Sequence, residues 1–239
     1  MKVQIIRILI LSFAVACFLS AQQPGVIMSY YAAQDAGPAA DPDSEFWKGV
    51  TGVFIEESIL GGKMPNLRAE VRSRWTKDNL YFLFIGPYEK LRLKPNPDTE
   101  TETYRLWEWD CFEAYVGADF DHINRYRELQ LSPQGEFLDL DIDSTVARPG
   151  HNDERLWDSG MKVKARIDET KKIWCGEICI PIAAVDKRPA GEGNEMRVNF
   201  YRQDGEPPKR QFLAWQVTGV WNPHKPEKFG TLKLVGEPR

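Results

Sequence analysis

The sequence has few of the residues that hold metals and redox cofactors. Its 239 residues include three histidines, His122, His151 and His224, and four cysteines. No Cys-x-x-Cys-His motif is present to attach a haem, and Cys175 and Cys179 in CGEIC do not have the spacing of a Cys-x-x-Cys redox motif. No second cysteine cluster completes a zinc site. These absences argue against haem, zinc and dithiol chemistry.

The chain also has no run of basic residues, and no apolar run after its N-terminus is long enough to cross a membrane. Its net charge is −4 at pH 7. Arg68, Arg72 and Arg74 alternate with Glu70 in a predicted strand, which indicates a solvated strand face. We therefore expect no nucleic-acid partner and no transmembrane segment.

Residues 1–21 have the organisation of a secretory signal peptide. Lys2 and Arg7 precede an apolar stretch over 8–19, and a Ser-Ala pair follows it. Cleavage after residue 21 would remove two positive charges and no acid, which changes the net charge from −4 to −6. A weak lipobox-like AVAC, with lipid attached at Cys17, is the alternative. Both interpretations predict an exported protein, which is secreted or periplasmic in the first and lipid-anchored through Cys17 in the alternative.

Three cysteines follow the predicted signal peptide, and an odd number cannot be fully paired within one chain. Cys175 and Cys179 are four residues apart in a predicted strand, so they would lie about 13 Å apart. That distance is too long for a disulfide. Cys111 could pair with one of them if their strands are neighbours. Three buried thiols are the alternative.

Short strand-like segments separated by turn signals make up most of the chain. Residues 22–40, rich in Ala, Gln, Pro, Gly and Asp, are expected to form a spacer that leads into one domain over 41–239. No segment has a convincing amphipathic helical pattern, and IAAVD (182–186) is expected to form one helical turn. The pattern predicts an all-β fold, a single antiparallel β-sandwich of the jelly-roll or immunoglobulin-like type. The predicted strands cover 67–75, 80–86, 112–117, 126–132, 136–143, 161–168, 173–181, 196–205, 212–219 and 229–235.

The stretch YRLWEWDCFEAYVG (104–117) separates into two faces, because side chains alternate along a strand. Phe112, Ala114 and Val116 share one face, which is the natural core face. The opposite face carries Trp107, Trp109, Cys111, Glu113 and Tyr115 if the strand extends that far back. Glu108 and Asp110 would then point away from Glu113.

The neighbouring strand shows the same alternation. Leu129 and Leu131 point one way, and Glu128 and Gln130 the other. A concave sheet face lined by rings, carboxylates and amides suits a sugar, whose C–H groups stack on aromatic rings while its hydroxyls form hydrogen bonds. A tryptophan in a β-sandwich is more often a core residue, and the pattern alone does not decide between the two roles for Trp107.

The acidic run Asp139, Asp141 and Asp143 lacks the glycine and the closing glutamate of an EF-hand loop. It is interpreted as a solvent-facing acidic stripe. We expect no other cofactor, although an exported β-sandwich can hold a structural calcium in its loops. The sequence does not identify its ligands.

The order of six segments resembles the family 9 carbohydrate-binding modules and their relatives, in a β-sandwich superfamily that also contains haem-binding domains. Each segment is weakly specific alone, and together they span most of residues 41–235. The segments are DPDSEFWKG (41–49), WTKDNLYFLFIG (75–86), WEWDCFEAYVG (107–117), WCGEICIPIAAV (174–185), MRVNFYRQ (196–203) and WNPHKPEKFGTLKL (221–234).

This resemblance implies a site in which two tryptophans clamp the end of a glucan or xylan chain. A glutamate six residues after the first tryptophan binds hydroxyls, and that spacing matches Trp107 and Glu113. The second tryptophan corresponds best to Trp221, with Trp215 as the other candidate. An arginine of the family falls near Gln130 or Arg127. An asparagine of the family falls on Thr218, which is a departure.

The favoured function is therefore an exported, non-catalytic carbohydrate-binding protein. A β-sandwich that serves a structural or interaction role, with the sugar site lost, is the main alternative. A glycoside hydrolase would need two opposed carboxylates, and only Glu113 of its neighbourhood is placed on the polar face. A haem-binding domain of the same superfamily would need axial His or Met ligands, and His122 and His151 fall in predicted loops.

Overall fold

The computed structural model describes residues 25–146 and 157–238, and these residues form thirteen strands and one short α-helix. The helix, α1, spans Ile182–Val185, where one helical turn is predicted. No described helix is long and apolar enough to cross a membrane. The strands are β1 (Val26–Tyr31), β2 (Val53–Ile55), β3 (Glu57–Ser58), β4 (Ala69–Trp75), β5 (Asn79–Pro87), β6 (Cys111–Gly117), β7 (Arg125–Leu131), β8 (Phe137–Asp143), β9 (Lys162–Asp168), β10 (Ile173–Pro181), β11 (Glu195–Asp204), β12 (Gln211–Ala214) and β13 (Gly230–Val235).

The strands form one large sheet that is nearly closed into a barrel-like sandwich, which confirms the predicted all-β fold. Hydrogen bonds connect ten of them in the order β8-β7-β6-β11-β13-β1-β4-β5-β10-β9, while β2 pairs with β4 and β12 pairs with β11 and β3. The described pairs are antiparallel except at β1, which runs parallel to both β13 and β4. In this order β1 stands between the first layer, which is formed by β8, β7, β6, β11 and β13, and the second layer, which is formed by β4, β5, β10 and β9.

The predicted spacer over 22–40 is wrong for the part that the structure describes, because Val26–Tyr31 form β1. Ile27 and Ser29 are buried, and the hydroxyls of Ser29 and Ser73 lie 2.8 Å apart. The domain therefore begins before residue 41. The predicted signal peptide and Cys17 lie outside the described residues.

The chain from residue 32 to 50 crosses the outer face of the second layer and is fastened to it. The carboxylate of Glu177 accepts hydrogen bonds from the backbone N–H groups of Ala39 at 3.0 Å and Ala40 at 2.8 Å. Asp35 accepts a 2.9 Å hydrogen bond from the hydroxyl of Tyr81. Trp47 is buried against the same face. This segment is thus part of the packed fold.

Aromatic rings dominate the core between the layers. Phe112 stacks on Phe84 at 4.9 Å and on Trp174 at 4.1 Å between ring centroids. Ala114 and Val116 lie in the same buried cluster, so the predicted core face of β6 is confirmed. The opposite face of β6 borders a second cluster, which contains Cys111, Tyr115, Tyr201, Phe212 and Phe229.

The three described cysteines are free and buried, so the interpretation as three thiols is confirmed. Cys111 lies in the cluster on the outer side of β6. Cys175 and Cys179 lie on β10, which is in the other layer. The two strands are not neighbours in the sheet, which leaves Cys111 without a disulfide partner.

Candidate functional site

A cavity of about 790 Å³ opens on the outer face of β6, β7, β8 and β11. The loops before β6 and after β11 and β12 complete its walls. Aromatic and ionisable side chains line it together, which is the composition expected of a small-molecule site. Its principal lining residues are Arg92, Trp107, Glu113, Tyr115, Glu128, Gln203, Arg210, Phe212, Trp221 and His224.

Glu113 lies at the base of this cavity on β6. Its side chain is buried, with 1% of the residue exposed. Its Oε1 accepts a 3.2 Å hydrogen bond from Nε2 of Gln203, and Sγ of Cys111 lies 3.8 Å from the same oxygen. Burial raises the pKa of Glu113, since removal from water disfavours the charged form. A protonated carboxyl group can donate one hydrogen bond to a ligand hydroxyl, whereas the ionised group only accepts hydrogen bonds.

Trp107 lies on a short 3₁₀ turn, Leu106–Glu108, which ends the long loop before β6. Its half-buried ring meets Tyr104 edge to face at 5.5 Å. The turn also breaks the strand period, so Glu108 lines the cavity beside Glu113. The prediction that Glu108 points away from Glu113 is therefore wrong.

Trp221 lies at the mouth of the cavity in the loop after β12. It is 62% exposed, and its ring meets Phe212 edge to face at 6.0 Å. The hydroxyl of Thr218 donates a 2.8 Å hydrogen bond to the carbonyl of Val220, which shapes this loop. The indole ring of Trp221 is therefore accessible to a molecule that enters the cavity.

The rings of Tyr115 and His224 form another wall, and Tyr126 and Tyr201 hold this wall in place. The Tyr126 hydroxyl lies 2.7 Å from Nδ1 of His224, and the His224 ring stacks on Tyr115 with centroids 5.5 Å apart. The hydroxyl of Tyr201 donates a 2.8 Å hydrogen bond to the carbonyl of Pro223. This contact joins the loop that carries Trp221 and His224 to β11.

Three of the predicted site residues, Trp107, Glu113 and Trp221, come together at the cavity. Trp215 does not line it. The Trp215 ring packs at 5.6 Å from Phe200 in the core between the layers, and it covers Gly230. The structure thus separates the two candidates for the second tryptophan.

Gln130 and Arg127 do not line the cavity either. Gln130 is fully buried on β7 and donates a 2.6 Å hydrogen bond to Glu128, which does line it. Arg127 points to the other side of β7, where it pairs with Asp141 and lies 4.6 Å from the Trp157 ring. The alternation of side chains along β7 explains this difference, because residues 127 and 128 face opposite ways.

Several cavity residues were not assigned to the site from the sequence, among them Gln203, Arg210 and His224. Gln203 continues the alternation Asn199, Tyr201, Gln203 on β11, so the strand period could have identified it. The same alternation placed Glu128 on the polar face of its predicted strand, and the structure puts it at the cavity. Arg210 and His224 reach the cavity from loops, and the local sequence carries no signal for that placement.

The acidic run on β8 differs from its predicted solvent-facing stripe. Asp139 is buried, and its Oδ2 accepts a 2.5 Å hydrogen bond from the hydroxyl of Ser159. Asp141 and Asp143 lie beside Arg127 and Arg125. Among the residues that the structure describes, no group of three or more His, Cys, Asp or Glu side chains is placed to hold a metal ion. The structural calcium stays a prediction.

Comparison with protein-family models gives no match, and comparison with curated proteins gives none. Solved structures do match. A candidate carbohydrate-binding protein from Bacteroides uniformis is similar with a TM-score of 0.68 and 20% identity, over 89% of this chain and all of that one.

A carbohydrate binding module of family 9 from Caldicellulosiruptor kristjanssonii is also similar. Its complex with cellotriose gives a TM-score of 0.63 and 14% identity, over 89% of this chain and 95% of that one. Its complex with glucose gives a TM-score of 0.62 and 12% identity, over 88% and 96%. The chain therefore has the fold of the family 9 carbohydrate-binding modules.

Proposed function

We propose that this protein is an exported, non-catalytic carbohydrate-binding protein that holds a glucan- or xylan-type sugar, at a chain end, between Trp107 and Trp221. One observation carries the proposal: the two tryptophans border a single cavity whose base presents Glu113 and Gln203. The fold shared with modules solved in complex with cellotriose and glucose supports it.

The chemistry of the cavity fits a sugar. Indole rings offer flat apolar faces for the C–H groups of a pyranose, and carboxyl and amide groups bind its hydroxyls. Two rings and a few hydrogen bonds should give dissociation constants between micromolar and millimolar, which correspond to about 4–8 kcal/mol.

Isothermal titration calorimetry with cellotriose and xylotriose tests the proposal on the chain from residue 22. We expect Trp107→Ala and Trp221→Ala each to weaken binding by about 2 kcal/mol, or roughly 30-fold, as for aromatic anchors of other interfaces. Trp157→Ala is the matched control, since Trp157 is half-buried and packs beside Arg127 away from the cavity. Unchanged affinity in both cavity variants would exclude the clamp, and absence of binding in the unmodified chain would favour a structural or interaction role.

Hydrolysis is tested in the same samples. Glu108, Glu113 and Glu128 all line the cavity, and paired carboxylates are the chemical requirement for glycoside hydrolysis. We expect no release of reducing ends from cello- or xylo-oligosaccharides. Release that disappears in Glu113→Gln would replace the non-catalytic proposal with a hydrolase.

Export is tested by mass spectrometry of the mature N-terminus after expression of the whole chain. We expect cleavage after residue 21. A lipid-modified N-terminal Cys17 would instead assign the protein to a membrane surface, and an uncleaved chain in the cytoplasm would contradict export.

A further inference from the structure

Arg210 lies between the two halves of the proposed site. Its side chain comes from the start of the segment that forms β12, and its guanidinium group reaches under the turn that carries Trp107. Nη2 donates to the carbonyl oxygens of Trp107 at 2.7 Å and Trp109 at 2.6 Å. Nη1 donates to the carbonyl of Glu108 at 2.8 Å and to that of Gly205 at 3.0 Å. Three consecutive carbonyls of the turn thus converge on one cation.

The fifth N–H group of Arg210 points in a different direction. Nε donates a 3.4 Å hydrogen bond to Oε1 of Gln203. A guanidinium group has five N–H donors. Each of the five donors of Arg210 therefore has an acceptor within the protein. Arg210 therefore has no donor left for a sugar hydroxyl, and its effect on a ligand has to pass through the groups that it holds.

Gln203 connects Arg210 to Glu113 through hydrogen bonds at both ends of its amide group. With its Oε1 bound by Arg210, the amide of Gln203 turns Nε2 toward the carboxyl group of Glu113, at 3.2 Å from Oε1. A glutamine amide has one acceptor end and one donor end, so the cation fixes which end meets the carboxylate. Arg210 is thus connected to the Glu113 carboxyl group through the amide of Gln203.

The turn of Trp107 depends on the same cation. The carbonyls at the end of a helical turn have no partner within the turn, so they need another donor when they are buried. Arg210 supplies it for residues 107, 108 and 109 together. A lysine carries its donors on one nitrogen and lacks the planar fork, so it cannot reproduce these contacts.

We propose that Arg210 is a positioning residue that sets the Trp107 ring and the Glu113 carboxyl group relative to each other. The expected effect of Arg210 on sugar affinity rests on the proposed function. Its geometric consequence, that the two groups lose their fixed positions together when Arg210 is replaced, can be measured without any ligand.

The experiment combines a ligand-free and a ligand-bound measurement on Arg210→Lys. Protein labelled with 5-fluorotryptophan gives one ¹⁹F resonance for each tryptophan, and Trp107→Phe identifies that of Trp107. We expect Arg210→Lys to shift or broaden the Trp107 resonance and to leave that of Trp174 unchanged. Calorimetry with cellotriose should show affinity weakened at least tenfold. An unchanged Trp107 resonance in folded Arg210→Lys would overturn the proposal, whether or not the unmodified chain binds cellotriose.

Arg202→Lys is the matched control. Arg202 is fully buried and donates to the carbonyls of Leu67 and Pro87, away from the cavity. We expect it to lower the midpoint of thermal unfolding while the Trp107 resonance and cellotriose affinity stay unchanged. If Arg202→Lys lost as much cellotriose affinity as Arg210→Lys, the effect of Arg210 would come from the stability of the whole fold. That result would overturn the positioning role.

Gln203→Met keeps the proposal testable if Arg210→Lys does not fold. It removes the contact to Glu113 at similar volume and leaves the turn contacts of Arg210 in place. We expect an unchanged Trp107 resonance, at least tenfold weaker cellotriose binding, and a higher pKa of the Glu113 carboxyl group in a ¹³C titration of the ligand-free protein. An unchanged titration of Glu113 would contradict the connection through Gln203.

Discussion

The backbone N–H of Gly205 donates a 2.7 Å hydrogen bond to Oδ1 of Asp110. Oδ2 of the same carboxyl group accepts a 2.8 Å hydrogen bond from the backbone N–H of Arg92. Asp110 stands immediately before β6, so one buried carboxyl group fastens two loops to the strand that carries Glu113. Arg92 and Pro207, from these two loops, both line the candidate sugar cavity. Asp110 thus connects two loops at the cavity to strand β6 through hydrogen bonds.

This arrangement predicts a pH-dependent contribution of Asp110 to stability. Burial raises the pKa of Asp110 to about 6 from an ordinary value of 3.8. The folded protein then holds a proton that the unfolded chain releases, so the contribution is fully present below pH 3.8 and is lost as the pH rises through 6. The difference between these two pKa values corresponds to about 3 kcal/mol.

Urea denaturation of the unmodified chain and of Asp110→Asn between pH 4 and pH 7 measures this contribution. We expect the free energy of unfolding of the unmodified chain to fall relative to the variant by up to about 3 kcal/mol over that range. The comparison cancels the titration of the other carboxyl groups. A difference between the two proteins that does not change with pH would contradict the raised pKa.

The N-terminal segment gives a second prediction. A chain from residue 41 lacks β1, which pairs with both β13 and β4, and it lacks the amides of Ala39 and Ala40 that bind Glu177. Burial of Ile27 alone is worth about 1.5–3 kcal/mol, and the lost strand hydrogen bonds add to it. The sum approaches the whole net stability of a typical domain, about 5–15 kcal/mol.

We expect the chain from residue 41 to lose cooperative unfolding in urea and the chain from residue 25 to keep it. Both chains lack the first 24 residues, so the difference between them reports on residues 25–40 alone. Equal unfolding midpoints would show that β1 contributes little and that a spacer is the better description of this segment.

The alternation of side chains was sufficient to predict much of the sheet and part of the site. Phe112, Ala114 and Val116 follow a strict period of two, because one face of β6 packs in the core while the other borders the cavity. The same rule placed Glu113 on the cavity face. It failed at Glu108, because a 3₁₀ turn interrupts the period just before β6.

The parts of the fold and of the site that the sequence did not predict depend on contacts between residues that are distant in sequence. The segment Val26–Tyr31 follows an Ala- and Pro-containing stretch, and its strand forms because β13 and β4, from other parts of the chain, provide hydrogen bonds on both sides. Arg210 reaches the turn of Trp107 across about one hundred residues of sequence. A local pattern contains no information on such contacts, since tertiary packing decides them.

The buried thiols give a third prediction. Burial raises the pKa of Cys111, Cys175 and Cys179, so the reactive thiolate is disfavoured in the folded protein. For the chain from residue 22, we expect negligible reaction with an aromatic disulfide reagent at pH 8 and three thiols per chain after unfolding in urea. Fewer than three would reveal a disulfide, and rapid reaction of the native protein would show that a cysteine is accessible.

The two candidates for the second clamp tryptophan should contribute to different properties: Trp215 to the stability of the fold and Trp221 to sugar binding. Trp215 packs in the core beside Phe200, and a Cβ atom added at Gly230 would lie 2.5 Å from its ring. Trp221 is mostly in water. We expect Trp215→Ala to lower the free energy of unfolding by about 2–4 kcal/mol, within the range for large core truncations, while Trp221→Ala changes it by less than about 0.5 kcal/mol.

Sugar affinity should show the opposite order. At a temperature where both variants are folded, we expect Trp215→Ala to bind cellotriose within about twofold of the unmodified chain, since its ring does not border the cavity, whereas Trp221→Ala should lose about 2 kcal/mol of binding free energy. Calorimetry and urea denaturation of the same preparations provide both quantities. If Trp215→Ala instead lost affinity at unchanged stability, Trp215 would be the second clamp residue and the loop that carries Trp221 would have another role.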